Sequence, residues 1–115
     1  MENDTKILSW EVDDSIDVTG TTYRGELTAS YLELCEVFGE PTYTNADPYE
    51  KVHAEWSGEA EVPDFWDEGE TIREVFTIYD WKTTGVPTDK YEWHIGGNSY
   101  DSVAIATKIF NDKLS

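Results

Sequence analysis

The sequence contains a single cysteine, Cys35, and few basic residues, with 8 Lys and Arg against 25 Asp and Glu in 115 residues. One cysteine cannot form an internal disulfide, which favours a reducing compartment. No stretch approaches the roughly 18 consecutive apolar residues of a membrane helix, and the first residues lack the basic and apolar segments of a signal peptide. We therefore expect a cytoplasmic protein.

The formal net charge is -17 at pH 7. A surface this negative repels phosphate backbones and anionic lipids, so we do not expect direct binding to nucleic acid or to a membrane. Cations and basic proteins are the expected partners. Hydrophobic residues make up 38% of the chain and aromatic residues 14%, which is enough apolar material for a core and argues against intrinsic disorder.

The negative charge is concentrated in the first two thirds of the chain. Residues 1–40 have ten acidic and two basic side chains, residues 41–80 have eleven and two, and residues 81–115 have four of each. The net charges of these segments are therefore -8, -9 and zero. Acidity that served only solubility would not be confined to one region, so the distribution indicates an acidic binding surface.

The first part of the chain predicts two strands and a helix. Alternating apolar and polar residues indicate strands at Lys6–Val12 and Ile16–Leu27, which we expect to pair as a hairpin. Ser30 and Glu33 have the spacing of a capping box, and Gly39 fits the C-terminal cap of the short helix that follows.

Three more strands are predicted after this helix. The first has Trp56 on its core side and His53 on its solvent side, and Ser57–Glu70 follows as a long acidic loop. Thr71–Trp81 is expected to be the central strand, since both of its faces carry apolar residues. The last strand directs Tyr91, Trp93 and Ile95 into the core.

A second helix completes the predicted fold. Gly96 and Gly97 are expected to form a turn that needs positive φ, and Val103, Ala106, Phe110 and Leu114 line one side of the C-terminal helix. The sequence thus predicts a single α+β domain over residues 1–115, with the order ββαβββα and an antiparallel sheet that has both helices on one face.

Two stretches resemble known groups of proteins. SYLELCEVFGEPTY (Ser30–Tyr43) resembles the L-x-x-x-x-G-x-P-T pattern of small lipoprotein and β-lactamase-inhibitor-type domains, which implies a likeness of fold alone. IYDWK (Ile78–Lys82) and EWHIGGNS (Glu92–Ser99) resemble a family of small acidic bacteriophage proteins with no established activity. The second resemblance implies a viral origin and a place in the host bacterial cytoplasm.

Residues with catalytic or ligand chemistry are few. His53 and His94 are expected on the surface, and a metal site would require both to converge with Glu55 or Glu92. The spacings H-E-x-x-H and C-x-x-C do not occur, so we predict no metal, no cofactor and no enzyme activity.

Two further residues are given structural roles. Cys35 lies on the apolar side of its helix near acidic residues, which favours a buried thiol over a nucleophile. Asp80 lies in an apolar strand and is expected to be buried, with Lys82 or a tryptophan N–H as its partner.

The acidic residues form the predicted partner-binding surface. Alternate residues of a strand are roughly 6.6 Å apart, so carboxylates there can form a ladder on the scale of a nucleic-acid backbone. Aromatic side chains in the acidic loop can anchor a partner. The set comprises Glu11, Asp13, Asp14 and Asp17 near the first hairpin, then Glu55, Glu59, Glu61, Asp64, Asp67, Glu68 and Glu70, with Phe65 and Trp66 as anchors.

The leading hypothesis is a phage-type inhibitor that mimics nucleic acid and blocks the DNA- or RNA-binding channel of a host defence nuclease, as an anti-CRISPR or anti-restriction protein. One alternative is an adaptor that binds a host or replication protein through the neutral last third, with His94, Tyr100 and the final helix. Another is a small metal-dependent enzyme that uses His53 and His94.

Overall fold

The computed structural model describes residues 6–64 and 66–114. Five antiparallel strands follow one another in the order β1-β4-β5-β6-β2, and the short β3 pairs with β4. The elements are β1 (Ser9–Val12), β2 (Thr22–Ala29), α1 (Tyr31–Phe38), β3 (Tyr43–Thr44), β4 (Ala54–Pro63), β5 (Thr71–Tyr79), β6 (Tyr91–Gly97) and α2 (Asp101–Leu114). The predicted α+β class is confirmed.

The core lies between the sheet and the two helices. Trp56, Phe76 and Trp93 point from three adjacent strands to this side and are fully buried. The helices complete the same cluster with Leu34 of α1 and Ile105 of α2, among others. The central position predicted for the strand after Thr71 is confirmed, since β5 lies between β4 and β6.

The predicted capping box begins α1. The Ser30 hydroxyl accepts a hydrogen bond from the Glu33 N–H at 3.1 Å, and the Glu33 carboxylate accepts one from the Ser30 N–H at 2.9 Å. Gly39 ends the helix with φ of 86°, a backbone conformation that favours glycine. Local sequence therefore determines both ends of α1.

The predicted N-terminal hairpin is wrong. β1 pairs with β4 and β2 pairs with β6, so the two strands lie at opposite edges of the sheet. Trp10 of β1 packs against Phe38 of α1, with ring centres 5.7 Å apart. Packing against a distant helix thus determines the partner of β1, and the intervening turn residues do not.

The predicted loop Ser57–Glu70 is also wrong over its first half. β4 continues to Pro63 and pairs with β1 and β5 at the same time. Gly58 does not interrupt the strand. A side chain at this position would overlap the ring of Phe76 on β5. The glycine provides space for a core aromatic residue across the sheet.

Gly96 and Gly97 lie within β6 and do not form the predicted positive-φ turn. The glycines with positive φ in residues 6–64 and 66–114 are Gly20, Gly39 and Gly69. A side chain at position 97 would overlap Ser102, the second residue of α2, whose hydroxyl donates to the Val75 carbonyl at 2.8 Å. Close approach of α2 to the sheet therefore explains this glycine.

Neither helix in the described part of the chain is long and apolar enough to cross a membrane.

Candidate partner-binding surface

One face of the sheet, here called the open face, points away from the helices. Side chains alternate along a strand, so the neighbours of the core residues Trp56, Phe76 and Trp93 point to it. α2 contacts β2, β5 and β6 on the core side, and α1 packs on α2. No helix of the described residues covers the open face, although Ser57 and Thr77 on this face are buried.

Four carboxylates form an acidic strip on the open face of β1 and β4. Its members are Glu11, Glu55, Glu59 and Glu61. Glu11 lies directly opposite Glu59, and residues two apart on β4 are separated by roughly 6.6 Å. The predicted ladder of carboxylates is thus placed along one edge of the sheet.

Two contacts partly compensate this strip. Arg73 of β5 forms an ion pair with Glu59 at 3.1 Å, and the Thr71 hydroxyl donates to Glu61 at 2.7 Å. Arg73 and the carboxylate of Glu59 are both partly exposed, so the pair is weakened by solvent and salt. The strip therefore stays strongly negative.

The strip leads into an acidic tip, the turn at residues 64–70 that joins β4 to β5. Asp64 closes this turn by donating its N–H to the Glu70 carbonyl at 2.9 Å, and its carboxylate accepts the N–H of Trp66 at 2.9 Å. Trp66 is 89% exposed. Asp67 and Glu68 are also exposed, whereas Phe65 lies outside the described residues.

The remaining predicted carboxylates follow β1 along the chain, in the connection to β2. Asp13 donates its N–H to the Ser57 carbonyl at 3.0 Å, which places it beside the middle of β4. Hydrogen bonds from the Ser15 hydroxyl and N–H lower the pKa of Asp13, and bonds from Thr19 lower the pKa of Asp17 in the same way. These hydrogen bonds therefore favour the charged form of both carboxylates. Asp14 lies exposed between them.

An aromatic cluster on the open face was not predicted from the sequence. The ring of His94 lies 4.6 Å from that of Tyr23 and 5.4 Å from that of Tyr79, centre to centre, and it stacks on Trp81 at 6.2 Å. The alternation of Tyr79 and Trp81 with the core residues Ile78 and Asp80 was a signal for it. The open face thus combines carboxylates with aromatic rings.

His53 is fully buried, so its predicted place on the surface is wrong. Its Nδ1 lies 3.0 Å from an oxygen of Asp80, and its Nε2 lies 2.8 Å from the Asp47 carbonyl oxygen. Burial lowers the pKa of His53, but the hydrogen bonds to Asp80 and to Asp47 outweigh it and raise the pKa above its ordinary value. We assign both ring nitrogens as donors.

Asp80 is buried as predicted, but its predicted partner is wrong. Its carboxylate accepts the N–H groups of His53 and Ala54 at 2.7 and 3.0 Å, the Thr83 hydroxyl and the His53 ring. His53, Asp80 and Thr83 do not form a catalytic triad. Asp80 and Thr83 both lie within hydrogen-bond distance of His53 Nδ1, and His53 Nε2 is hydrogen-bonded to a backbone carbonyl. These contacts join the loop before β4 to the end of β5.

The other candidate residues do not assemble into a site. His53 and His94 are held by different neighbours, and no three His, Cys, Asp or Glu side chains of the described residues converge as a metal requires. Cys35 is half-buried, and burial raises the pKa of its thiol. The adaptor alternative relied on Tyr100 and His94. Tyr100 is 71% exposed next to the first residue of α2, and His94 lies on the open face.

Comparison with protein-family models, curated proteins and solved structures finds no match to this chain. The features that bear on function are therefore the acidic strip, the acidic tip and the aromatic cluster of the open face.

Proposed function

We propose that this protein mimics a nucleic-acid backbone and occupies the binding channel of a basic protein. The phage-type resemblance suggests a host defence nuclease of a CRISPR or restriction system as the target. The observation that carries the proposal is the common location of the predicted carboxylates. The acidic strip, the acidic tip and Asp13 all lie along the edge formed by β1 and β4.

Electrostatics supports a binding surface of this kind. A row of carboxylates with one nearby arginine attracts a channel lined by Lys and Arg and accelerates association. Fixed positions on a rigid strand lower the entropic cost of ordering these charges on binding. The β4 strand supplies that rigidity, since it is hydrogen-bonded on both sides.

The acidic tip supplies the apolar part of the proposed interface. Trp66 is largely exposed between carboxylates, and tryptophan is among the residues that most often dominate binding energy. Steering by charge followed by burial of this ring is therefore the proposed sequence of events.

The experiment is competition for DNA. A labelled DNA duplex is bound to a CRISPR effector carrying its guide, or to a restriction endonuclease, and this protein is added at low salt. We expect displacement of the DNA, with at least about a tenfold loss of affinity between about 50 and 200 mM salt. DNA binding that a large excess leaves unchanged at low salt contradicts the proposal.

A pair of variants with equal net charge separates a specific face from bulk charge. In the first, Asp64, Asp67 and Glu68 are changed to Lys; in the control, the exposed Glu36, Glu50 and Asp89 are changed to Lys. We expect the first to weaken competition by at least about tenfold more than the control. Equal losses would mean that total charge alone determines binding. Asp101 and Asp112 are poorer controls, since Asp101 begins α2 and Asp112 pairs with Lys108 at 3.2 Å.

A further inference from the structure

A small pocket, here called the Glu55 pocket, opens on the open face next to the acidic strip. It has a volume of about 250 Å³ and is lined by Glu55, Thr77, Tyr79, Trp81 and the backbone of Gly96, among others. Pockets for drug-sized ligands have volumes of about 300–1,000 Å³. The Glu55 pocket therefore has room for one side chain or for a small molecule of similar size.

Glu55 is a half-buried carboxylate that lines this pocket. Within the described residues, no Lys or Arg nitrogen lies within 4.0 Å of its oxygens. Burial raises the pKa of Glu55, because the charged carboxylate has lost part of its hydration. A cation brought into the pocket would replace that hydration.

Aromatic rings stand beside this carboxylate. Tyr79 lies directly opposite Glu55 in the pairing of β4 with β5, and Trp81 follows two residues later. The Lys51 ammonium lies 5.9 Å from the centre of the Trp81 ring, a distance typical of cation–π contact. The Trp81 ring thus already attracts a cation in the free protein, and 39% of the residue is exposed.

We propose that the Glu55 pocket binds the side chain of an arginine, with the guanidinium paired to the Glu55 carboxylate and in contact with the rings of Tyr79 and Trp81. A guanidinium is flat and weakly hydrated, and it offers two parallel N–H donors to a carboxylate, so it suits a pocket with both features better than an ammonium does. The inference deepens the proposed function, since a basic partner would provide the arginine.

The test uses the intact protein and a capped peptide, Ac-Gly-Arg-Gly-NH₂, at about 0.15 M salt, where loosely associated ions are screened. Binding is followed by NMR at the Trp81 indole N–H and the backbone N–H of Gly96. The comparison ligand replaces arginine with citrulline, which has the same shape without the charge. We expect saturable shifts with the arginine peptide and at least about a tenfold weaker response with the citrulline peptide.

Two variants locate the effect. Glu55→Gln removes the charge at nearly constant shape, and we expect at least about a tenfold loss of affinity. The matched control is Glu74→Gln, a half-buried carboxylate of β5 that accepts the Ser99 hydroxyl at 3.3 Å and does not line the pocket, and we expect less than about a twofold change. Trp81→Leu is a second variant, also expected to weaken binding, and the NMR spectrum of each variant shows whether it is folded.

The outcomes are distinct from those of the DNA competition. Equal binding of the arginine and citrulline peptides, or full binding by Glu55→Gln, overturns the arginine pocket. Binding of methylguanidinium but not of the peptide also overturns it, because the pocket would then take a free cation and not a side chain carried by a chain. Peptide binding without displacement of DNA from any nuclease would support the pocket and contradict nucleic-acid mimicry.

Discussion

Replacing Asp80 with asparagine should disrupt the buried polar contacts between Asp80 and His53. The Asp80 carboxylate is fully buried and accepts hydrogen bonds from two backbone N–H groups, a hydroxyl and the His53 ring. Asparagine keeps one oxygen for the N–H groups of His53 and Ala54. It places an amide N–H₂ against Thr83 and the His53 ring, where an acceptor is needed.

The magnitude follows from breaking a buried charged contact. Removal of one partner of such a pair costs about 3–5 kcal/mol, and a domain of this size unfolds with a free energy of about 5–15 kcal/mol. We expect Asp80→Asn to lose about 3–5 kcal/mol in urea unfolding at pH 6. The control Asp89→Asn, at an exposed position, should change the free energy of unfolding by less than about 0.5 kcal/mol. A loss below about 1 kcal/mol for Asp80→Asn would refute the reasoning.

Three further predictions concern pH and local packing. The pKa of His53 is raised in the folded state, so the stabilisation by its proton is complete below the unfolded pKa of about 6.5 and is lost as the pH rises through the folded pKa. The free energy of unfolding in urea should therefore fall between about pH 5 and 9. Asp80→Asn should make this pH dependence weaker. Gly97→Ala would overlap Ser102 and should destabilise the protein by about 1–3 kcal/mol, whereas a melting temperature equal to that of the wild type would contradict the close approach of α2. Ser30→Ala should cost about 1 kcal/mol in the same unfolding assay, with Ser30→Thr close to the wild type.

Local interactions made several elements predictable from the sequence. The capping box of Ser30 and Glu33 and the cap at Gly39 depend on residues a few positions apart, so both ends of α1 could be read directly. Apolar residues on both faces of Thr71–Trp81 identified β5 as a central strand, because a strand that is buried on both faces carries apolar residues on both. The acidic residues of the strip and tip were also identified by composition alone.

Contacts between distant residues could not be read in this way. The partner of β1, the continuation of β4 through Gly58 and the role of Gly97 each depend on what lies across the sheet or above it. The burial of His53 is the clearest case. The alternation of side chains along the strand, with Trp56 in the core, predicted that His53 faces solvent. Asp80, 27 residues away, instead provides the acceptor that makes a buried imidazole favourable.

The α+β class, the limits of α1 and the regional excess of carboxylates could be predicted from the sequence alone, because helix caps, side-chain alternation and charge are properties of neighbouring residues. The fold of the whole chain was needed to show that the carboxylates of the acidic strip share one edge of the sheet and that Glu55 lies in a pocket beside Tyr79 and Trp81. These positions depend on strand pairing, because the order and register of the whole sheet determine the neighbours of each side chain.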